Sequence, residues 1–282
     1  MQFGDYRIEI IPDTEFRLDG GAMFGVVPRN LWSRVAPPDD QNRIRMNMNC
    51  LFVEAGSEKI LIETGIGEKW SEKHAAMYGI DRQRSLGESL RELTGVGPEQ
   101  ITIVINTHLH FDHAGGNTTL NADGRVTPAF PNARYLISRA EWEHAEQPSE
   151  RDQASYLPDN WRPVSESGQL ELKEADYEVV PGLRMETYAG HNRSMQCWRL
   201  QQNGSTLFGF ADLVPMRAHV QFPWIMGYDL FPVDTLAAKK KLLPQAAKEA
   251  WGCLFYHEPE AAFYRVIEDQ GKLRTVEYEV AA

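Results

Sequence analysis

Residues 107–116 read Thr107-His108-Leu109-His110-Phe111-Asp112-His113-Ala114-Gly115-Gly116, and they follow directly on Ile101-Thr102-Ile103-Val104-Ile105-Asn106. That preceding run is β-branched, apolar on both faces and too short for a helix, so it predicts a buried strand. Alternation along its end sends His108 and His110 to the same side. A turn made possible by Gly115-Gly116 then lets Asp112 and His113 face a second point. Such a concentration of imidazole and carboxylate at the end of a buried strand is costly unless the groups are paired. Imidazole and carboxylate suit zinc and its first-row neighbours, and the absence of thiolate disfavours a purely structural zinc site. One cation would not use all four side chains comfortably.

Three other places supply single candidates of the same kind, each just after a predicted strand. They are Gly190-His191-Asn192, Ala211-Asp212-Leu213 and Tyr256-His257-Glu258-Pro259. A lone loop histidine or turn aspartate carries little information, but the shared placement at strand ends does. Of the eight histidines, His74 and His144 read as surface helix residues and His219 stays unassigned.

The rest of the chain supplies strands and amphipathic helices in both halves. Cys50 to Glu54 and Lys59 to Glu63 flank Ala55-Gly56-Ser57-Glu58 as a hairpin, and Gln196 to Gln201 and Thr206 to Ala211 flank Asn203-Gly204 as another. Ser85-Leu86-Gly87-Glu88 has the form of a capping box, with Leu86, Leu90 and Leu93 on one face and Gly95 as the stop. Tyr135 to Ser138 and Cys253 to Tyr256 read as short strands, and Phe263 to Ile267 with Thr275 to Val280 as a closing hairpin around Gln270-Gly271. Thr235 is placed to cap a helix through Leu242 and Leu243 that Pro244 should kink or split. These elements fit an α/β fold of two sheets packed face to face with helices outside, a four-layer αββα sandwich, read as one domain over residues 1–282. Residues 14–46 and 139–170 fit the regular scheme poorly and are read as lids.

Length and composition bound the answer. At 282 residues, with 42% apolar and 24% charged residues, the chain is neither a disordered tail, a collagen-like repeat nor a rod. Lys+Arg 29 against Asp+Glu 40 gives a net charge of −11, which argues against an extended nucleic-acid surface. The one basic cluster, Lys239-Lys240-Lys241, reads as a solvated helix face. Nothing approaches the roughly 18 to 20 consecutive apolar residues that cross a bilayer, and the charged start lacks a signal-peptide pattern, so a soluble cytoplasmic protein is expected. The three cysteines, Cys50, Cys197 and Cys253, lie in apolar runs and read as buried free thiols.

The motif and the later single ligands together resemble the metallo-β-lactamase-fold superfamily of metallohydrolases. Its HxHxDH signature, followed by single His, Asp and His ligands, is matched by His108, His110, Asp112, His113, His191, Asp212 and His257. The resemblance covers most of the chain, from about Cys50 to His257, and implies an αββα sandwich with metals at one edge. It implies that His108, His110 and His191 bind one ion, that Asp112, His113 and His257 bind a second, and that Asp212 bridges both. Two divalent ions per chain are expected, zinc by default, with manganese, iron and cobalt also suited to N/O ligands. His110 disfavours the di-iron flavoprotein branch, which has a carboxylate there, and Asp212 disfavours true β-lactamases. The segment from Ala211 to Pro223 is most similar to the lactonase and organophosphate hydrolase branch.

The acyl-homoserine lactonases commonly carry a tyrosine three residues after the bridging aspartate, where this chain has Pro215. Tyr228 and His219 are the candidates to replace it at the developing oxyanion, beside Asp112 and Asp212 as catalytic residues. Glu63, where the family usually has Asp, is a candidate either to support a ligand histidine or to cap the turn at Gly65 and Gly67. Phe222, Trp224, Ile225, Met226, Tyr228 and Phe231, with Met23, Phe24 and Trp32, are read as the wall of a hydrophobic pocket or as a homodimer contact. The expected activity is opening of a lactone or cleavage of a related hydrophobic ester by a hydroxide shared between two cations. The competing readings are phosphotriester, phosphodiester or thioester hydrolysis and, from another class, a metal-loaded ligand-binding or sensor protein with little turnover. A small-molecule ester or lactone is the expected partner, with no nucleic acid and no membrane.

Overall fold

The strand ahead of the motif spans Ile103–Ile105 and pairs in parallel with Glu58–Ile62 on one side and Arg134–Ser138 on the other. Being flanked on both edges and covered on both faces, it has no polar side, which is why the run reads as continuously apolar. It begins two residues later than the apolar pattern, although Thr102 N–H already donates to Lys59 O at 2.9 Å and Thr102 O accepts from Arg134 N–H at 2.9 Å. Thr102 Oγ1 accepts the N–H of Lys59 at 2.9 Å.

The structure is a computed structural model that describes residues 1–278, and its contacts divide the chain into two units. One comprises Met1–Glu15 with Met48–Ala175, the other Phe16–Asn47 with Asp176 onward. The first is built on a seven-stranded sheet in the order Gln2–Phe3, Tyr6–Asp19, Arg43–Ala55, Glu58–Ile62, Ile103–Ile105, Arg134–Ser138, Leu170–Lys173. The second has its own seven-stranded sheet, running in sequence order from Tyr177–Val180 to Lys272–Glu277. Val280, read as the end of the closing hairpin, lies outside the described residues. Among the described residues no helix is long and apolar enough to cross a membrane.

Both tight hairpins form where turn chemistry placed them. Leu51 pairs with Ile62 and Ala55 with Glu58 around Gly56, while Gln202 pairs with Ser205 around Asn203 and Gly204, both at positive φ. The capping box also holds. Ser85 and Glu88 bond reciprocally, the helix runs Leu86–Thr94, and Gly95 closes it in the left-handed conformation. Its buried face is Leu86, Leu90 and Thr94, whereas Leu93 is 43% exposed. Thr94 is tolerated inside because its hydroxyl donates to Leu90 O at 2.6 Å and accepts from Val96 N at 3.0 Å.

Three readings change. The helix of the second half starts earlier than expected, at Pro232, runs to Lys248 and contains Pro244 without being split. Pro244 is exposed, as is Lys240, whose carbonyl loses its intrahelical partner and can be solvated. Lys239 is fully buried, on one stripe with Thr235, Leu242 and Ala246, so only Lys240 and Lys241 form a solvated face. Residues 14–46 and 139–170 are not irregular throughout. They include the helices Gly20–Phe24, Arg29–Trp32, Arg139–Glu146 and Arg162–Glu166.

The glycines beside the motif serve close backbone approach. A Cβ on Gly115 would stand 2.2 Å from Ile66 O, one on Gly116 2.2 Å from Thr64 O, and one on Gly67 2.2 Å from Gly115 O. Gly67 also has φ +68°, and no L side chain relieves the backbone contact. Gly67→Ala is therefore expected to destabilise the fold by about 3 kcal/mol or more, against about 1 kcal/mol for Gly124→Ala, where the φ is similar and the space open. Chemical denaturation of the two variants checks this, and equal losses would refute the close-approach account.

Candidate metal centre

In the first unit, the chain leaves its central strand and passes through His108 and His110 before a single helical turn, Phe111–Ala114. His113 N and Ala114 N both bond back to His110 O, at 3.0 and 2.9 Å, so a helical turn places Asp112 and His113. Gly115 and Gly116 do not make that turn, contrary to the expectation from sequence. The side chains of His108, His110, Asp112 and His113 are all buried. The ring of His108 lies 4.6 Å from that of His110 and 4.0 Å from that of His113. Ligand atoms of His108 and His110, of His108 and His113, and of Asp112 and His113 come within 4.8 Å of one another.

Glu63 resolves its two readings. Its carboxylate lies 3.3 Å from His113 Nδ1, and it accepts the N–H of Thr107 at 3.1 Å and the hydroxyl of Thr107. The turn is capped instead by Asp13, which accepts Ile66 N–H at 2.9 Å and is gripped by Arg82 through both carboxylate oxygens. Glu63 sits at φ +69°, a strained position for a residue with a Cβ, and it is wholly buried. A second carboxylate escaped the sequence reading. Glu141, from the helix Arg139–Glu146, accepts Leu109 N–H at 2.8 Å and the Tyr156 hydroxyl at 3.1 Å, fixing the residue between the two histidines.

The second unit assembles the remaining three. His257 Nε2 lies 3.1 Å from Asp212 Oδ1 and His191 Nε2 lies 3.5 Å from Asp212 Oδ2, so each carboxylate oxygen faces a different imidazole. Both rings are held from behind. His257 Nδ1 donates to Asn47 O at 3.1 Å, and His191 Nδ1 lies 3.1 Å from Asp229 Oδ1. Asp229 in turn accepts the Thr235 hydroxyl at 2.6 Å. Asp212 follows Ala211, which takes φ +47° where the strand Ser205–Gly209 breaks off.

These donor sets fit divalent cations. They are nitrogen and oxygen only, and anchoring one ring nitrogen to a carboxylate or carbonyl fixes the tautomer that leaves the other nitrogen to a metal. The cysteines stay out of it. All three are free and buried, and burial pushes the thiols of Cys50 and Cys197 well up from their ordinary range.

Residues 44–251 match the Metallo-beta-lactamase superfamily. The chain belongs to that superfamily. Its α/β architecture is the metallo-β-lactamase fold, and it is a superfamily hydrolase. A probable metal-dependent hydrolase from Staphylococcus aureus superposes over 100% of both chains with a TM-score of 0.89 at 28% identity. An N-acyl homoserine lactonase of Bacillus thuringiensis is 28% identical over 235 residues, 75% of this chain and 81% of that one. An N-acyl homoserine lactonase of Bacillus cereus is 29% identical over 179 residues, 59% of this chain and 63% of its own length.

Pro215 stands where acyl-homoserine lactonases commonly have tyrosine, and its carbonyl accepts His257 N–H at 2.9 Å. Of the two proposed substitutes, Tyr228 is 38% exposed. His219 is buried, stacks on Phe24 at 4.8 Å, and donates its Nε2 proton to Met23 O at 2.8 Å. Burial is the main cause that lowers its pKa to about 3, so it is a neutral ring whose one proton is committed.

Two outcomes follow. Asp229→Asn is expected to weaken divalent metal binding by about 10- to 100-fold in chelator competition, with far-UV circular dichroism unchanged. Unaltered metal affinity would remove Asp229 from the centre. For His219, the unfolded ring takes a proton below about pH 6.5 while the folded ring does not until about pH 3. Stability therefore falls as pH falls through that window, by roughly 3 kcal/mol at pH 4. His219→Phe, which keeps the stacking, is expected to flatten the dependence of Tm on pH between 7 and 4.

Proposed function

We propose that this chain is a dinuclear metal hydrolase that opens a lactone or cleaves a related hydrophobic ester. The observation that carries the reading is Asp212, which turns one carboxylate oxygen toward each of two anchored imidazoles, as a carboxylate shared between two cations does. In this reading His108, His110 and His191 would hold one ion, Asp112, His113 and His257 would hold the other, and Asp212 would serve both, with zinc the default occupant. The likeness to N-acyl homoserine lactonases supports the substrate class.

Two divalent cations held there would lower the pKa of a bound water toward neutrality and polarise a carbonyl oxygen. The chain supplies the rest. Opening a lactone adds the elements of water across the acyl C–O bond, and the ring oxygen leaves as an alkoxide that needs a proton. Asp112 is the carboxylate assigned to take the proton released by the attacking water and pass it to that alkoxide. Tyr228 is assigned the hydrogen bond to the developing oxyanion that the usual tyrosine would make at Pro215, because the only ring proton of His219 is held by Met23 O. Glu63, Asp229 and Asn47 O keep His113, His191 and His257 from rotating, so the donors need little reorganisation during the reaction.

The test is a panel of homoserine lactones, aliphatic lactones, a thioester and a phosphotriester, assayed with metal-loaded and chelator-treated protein. Metal-dependent lactone turnover is expected to dominate, and preference for the thioester or phosphotriester would redirect the substrate assignment. Asp212→Asn, which keeps the shape and removes the charge, is expected to lower kcat by about 100-fold or more and to reduce bound metal in elemental analysis. Retention of activity within twofold would overturn the shared-carboxylate reading. Because imidazole binds metal only when neutral, turnover and metal content should fall together below about pH 6.

A further inference from the structure

The helix Glu72–Tyr78 in the first unit has no buried residue, and its 7 residues are too few to stay helical alone. A set of aromatic rings holds it in place. Trp70, just ahead of the helix, donates its Nε1 proton to Ile66 O at 2.8 Å and stands edge-on to Phe111, with ring centroids 5.5 Å apart. Tyr78, the last residue of the helix, packs against both. Its ring lies 5.2 Å from that of Trp70 and 5.1 Å from that of Phe111, spacings of favourable aromatic pairs. Gly79 then ends the helix in the left-handed conformation, and Thr14 ties the exit down by donating to Asp81 O at 3.2 Å.

Phe111 is the residue before Asp112 on the helical turn that carries the motif. Packing on Phe111 therefore brings the phenol near the carboxylate assigned to proton transfer. Burial, and after it the charge of Asp112, raises the phenol above its ordinary range, so it keeps its proton at neutral pH.

The hydroxyl itself is uncommitted. In the same unit Tyr135 donates to Asn117 O at 2.9 Å and Tyr156 to Glu141 at 3.1 Å. The Tyr78 hydroxyl makes no hydrogen bond among the described residues and is open to solvent. A neutral donor whose ring is fixed and whose oxygen is free, near a carboxylate that carries a proton, suits an oxygen that becomes negative during a reaction.

We propose that Tyr78 is a further catalytic residue of the proposed hydrolysis, its hydroxyl donating a hydrogen bond to the ring oxygen of the lactone as the acyl C–O bond breaks. The electron pair of that bond goes to the ring oxygen, Asp112 delivers the proton to it, and the phenol keeps its own. The hydrogen bond strengthens with the charge on the departing oxygen, so an alkoxide depends on it more than a phenolate does. This assignment rests on the proposed function.

Dihydrocoumarin and δ-valerolactone test it, because both are six-membered lactones while the first releases a phenolate and the second a far more basic alkoxide. The value of kcat/KM on each is measured for the metal-loaded parent protein, for Tyr78→Phe, which keeps the ring packing, and for Lys73→Ala, at an exposed position on the same helix. Tyr78→Phe is expected to lose at least about tenfold on δ-valerolactone and no more than about threefold on dihydrocoumarin, with bound metal unchanged in elemental analysis. Lys73→Ala should match the parent on both. A loss on dihydrocoumarin as large as that on δ-valerolactone, no loss on either, a fall in bound metal, or the same selective loss in Lys73→Ala would each overturn the proposal. A packing defect slows both substrates alike, and an idle hydroxyl slows neither. Absence of lactone turnover in the parent overturns the proposed function and this assignment with it, whereas parent turnover with equal losses in Tyr78→Phe overturns this assignment alone.

Discussion

An imidazole can offer a metal only one of its nitrogens, and it points reliably only if the other is held. That constraint organises the chemistry-bearing part of both units. His113 is faced by Glu63, His191 by Asp229 and His257 by the carbonyl of Asn47, each at 3.1 to 3.3 Å. His108 Nδ1 lies 3.1 Å from the hydroxyl of Thr107, which itself bonds to Glu63. Burying these four rings is tolerable because each faces a polar partner inside the protein, three of them side chains and one a backbone carbonyl.

Holding those partners in place requires unusual backbone. Glu63, which faces His113, and Ala211, just ahead of Asp212, take positive φ without being glycine. Gly67, Gly115 and Gly116 allow chain segments to approach more closely than any side chain would permit. Local strain of this sort survives when the rest of the structure over-determines it, and it tends to gather where function needs a fixed geometry. The pair Asp13 and Arg82 stabilises the same turn from outside, through Ile66 N–H and Gly67 O.

Much of this was legible in the chain. Turn dipeptides, the capping box and the β-branched run before His108 gave the hairpins, the helix Leu86–Thr94 and the buried strand, because each depends on local sterics and hydrogen bonding. The partners of the histidines were much harder to see. Asp229 and Glu141 lie 38 and 32 positions along the chain from the residues they hold, and nothing in their own neighbourhoods distinguishes them from surface carboxylates. Glu63 was found as a candidate, yet whether it capped a turn or faced a histidine depended on where Asp13 went. Lys239 was misread because a basic triplet looks solvated until the helix phase shows that its first member falls on the buried stripe.

By itself, then, the sequence determined the ligand types, their placement at strand ends and the α/β class, since residue chemistry and local backbone preference act over a few positions. Only the tertiary structure decided which nitrogen of each ring is committed, which carboxylates stand behind them and which cation goes inside. Those outcomes are set by contacts between segments far apart in the chain, and hydrogen-bond partnership over such distances, unlike that within a capping box, carries no signature in residue spacing.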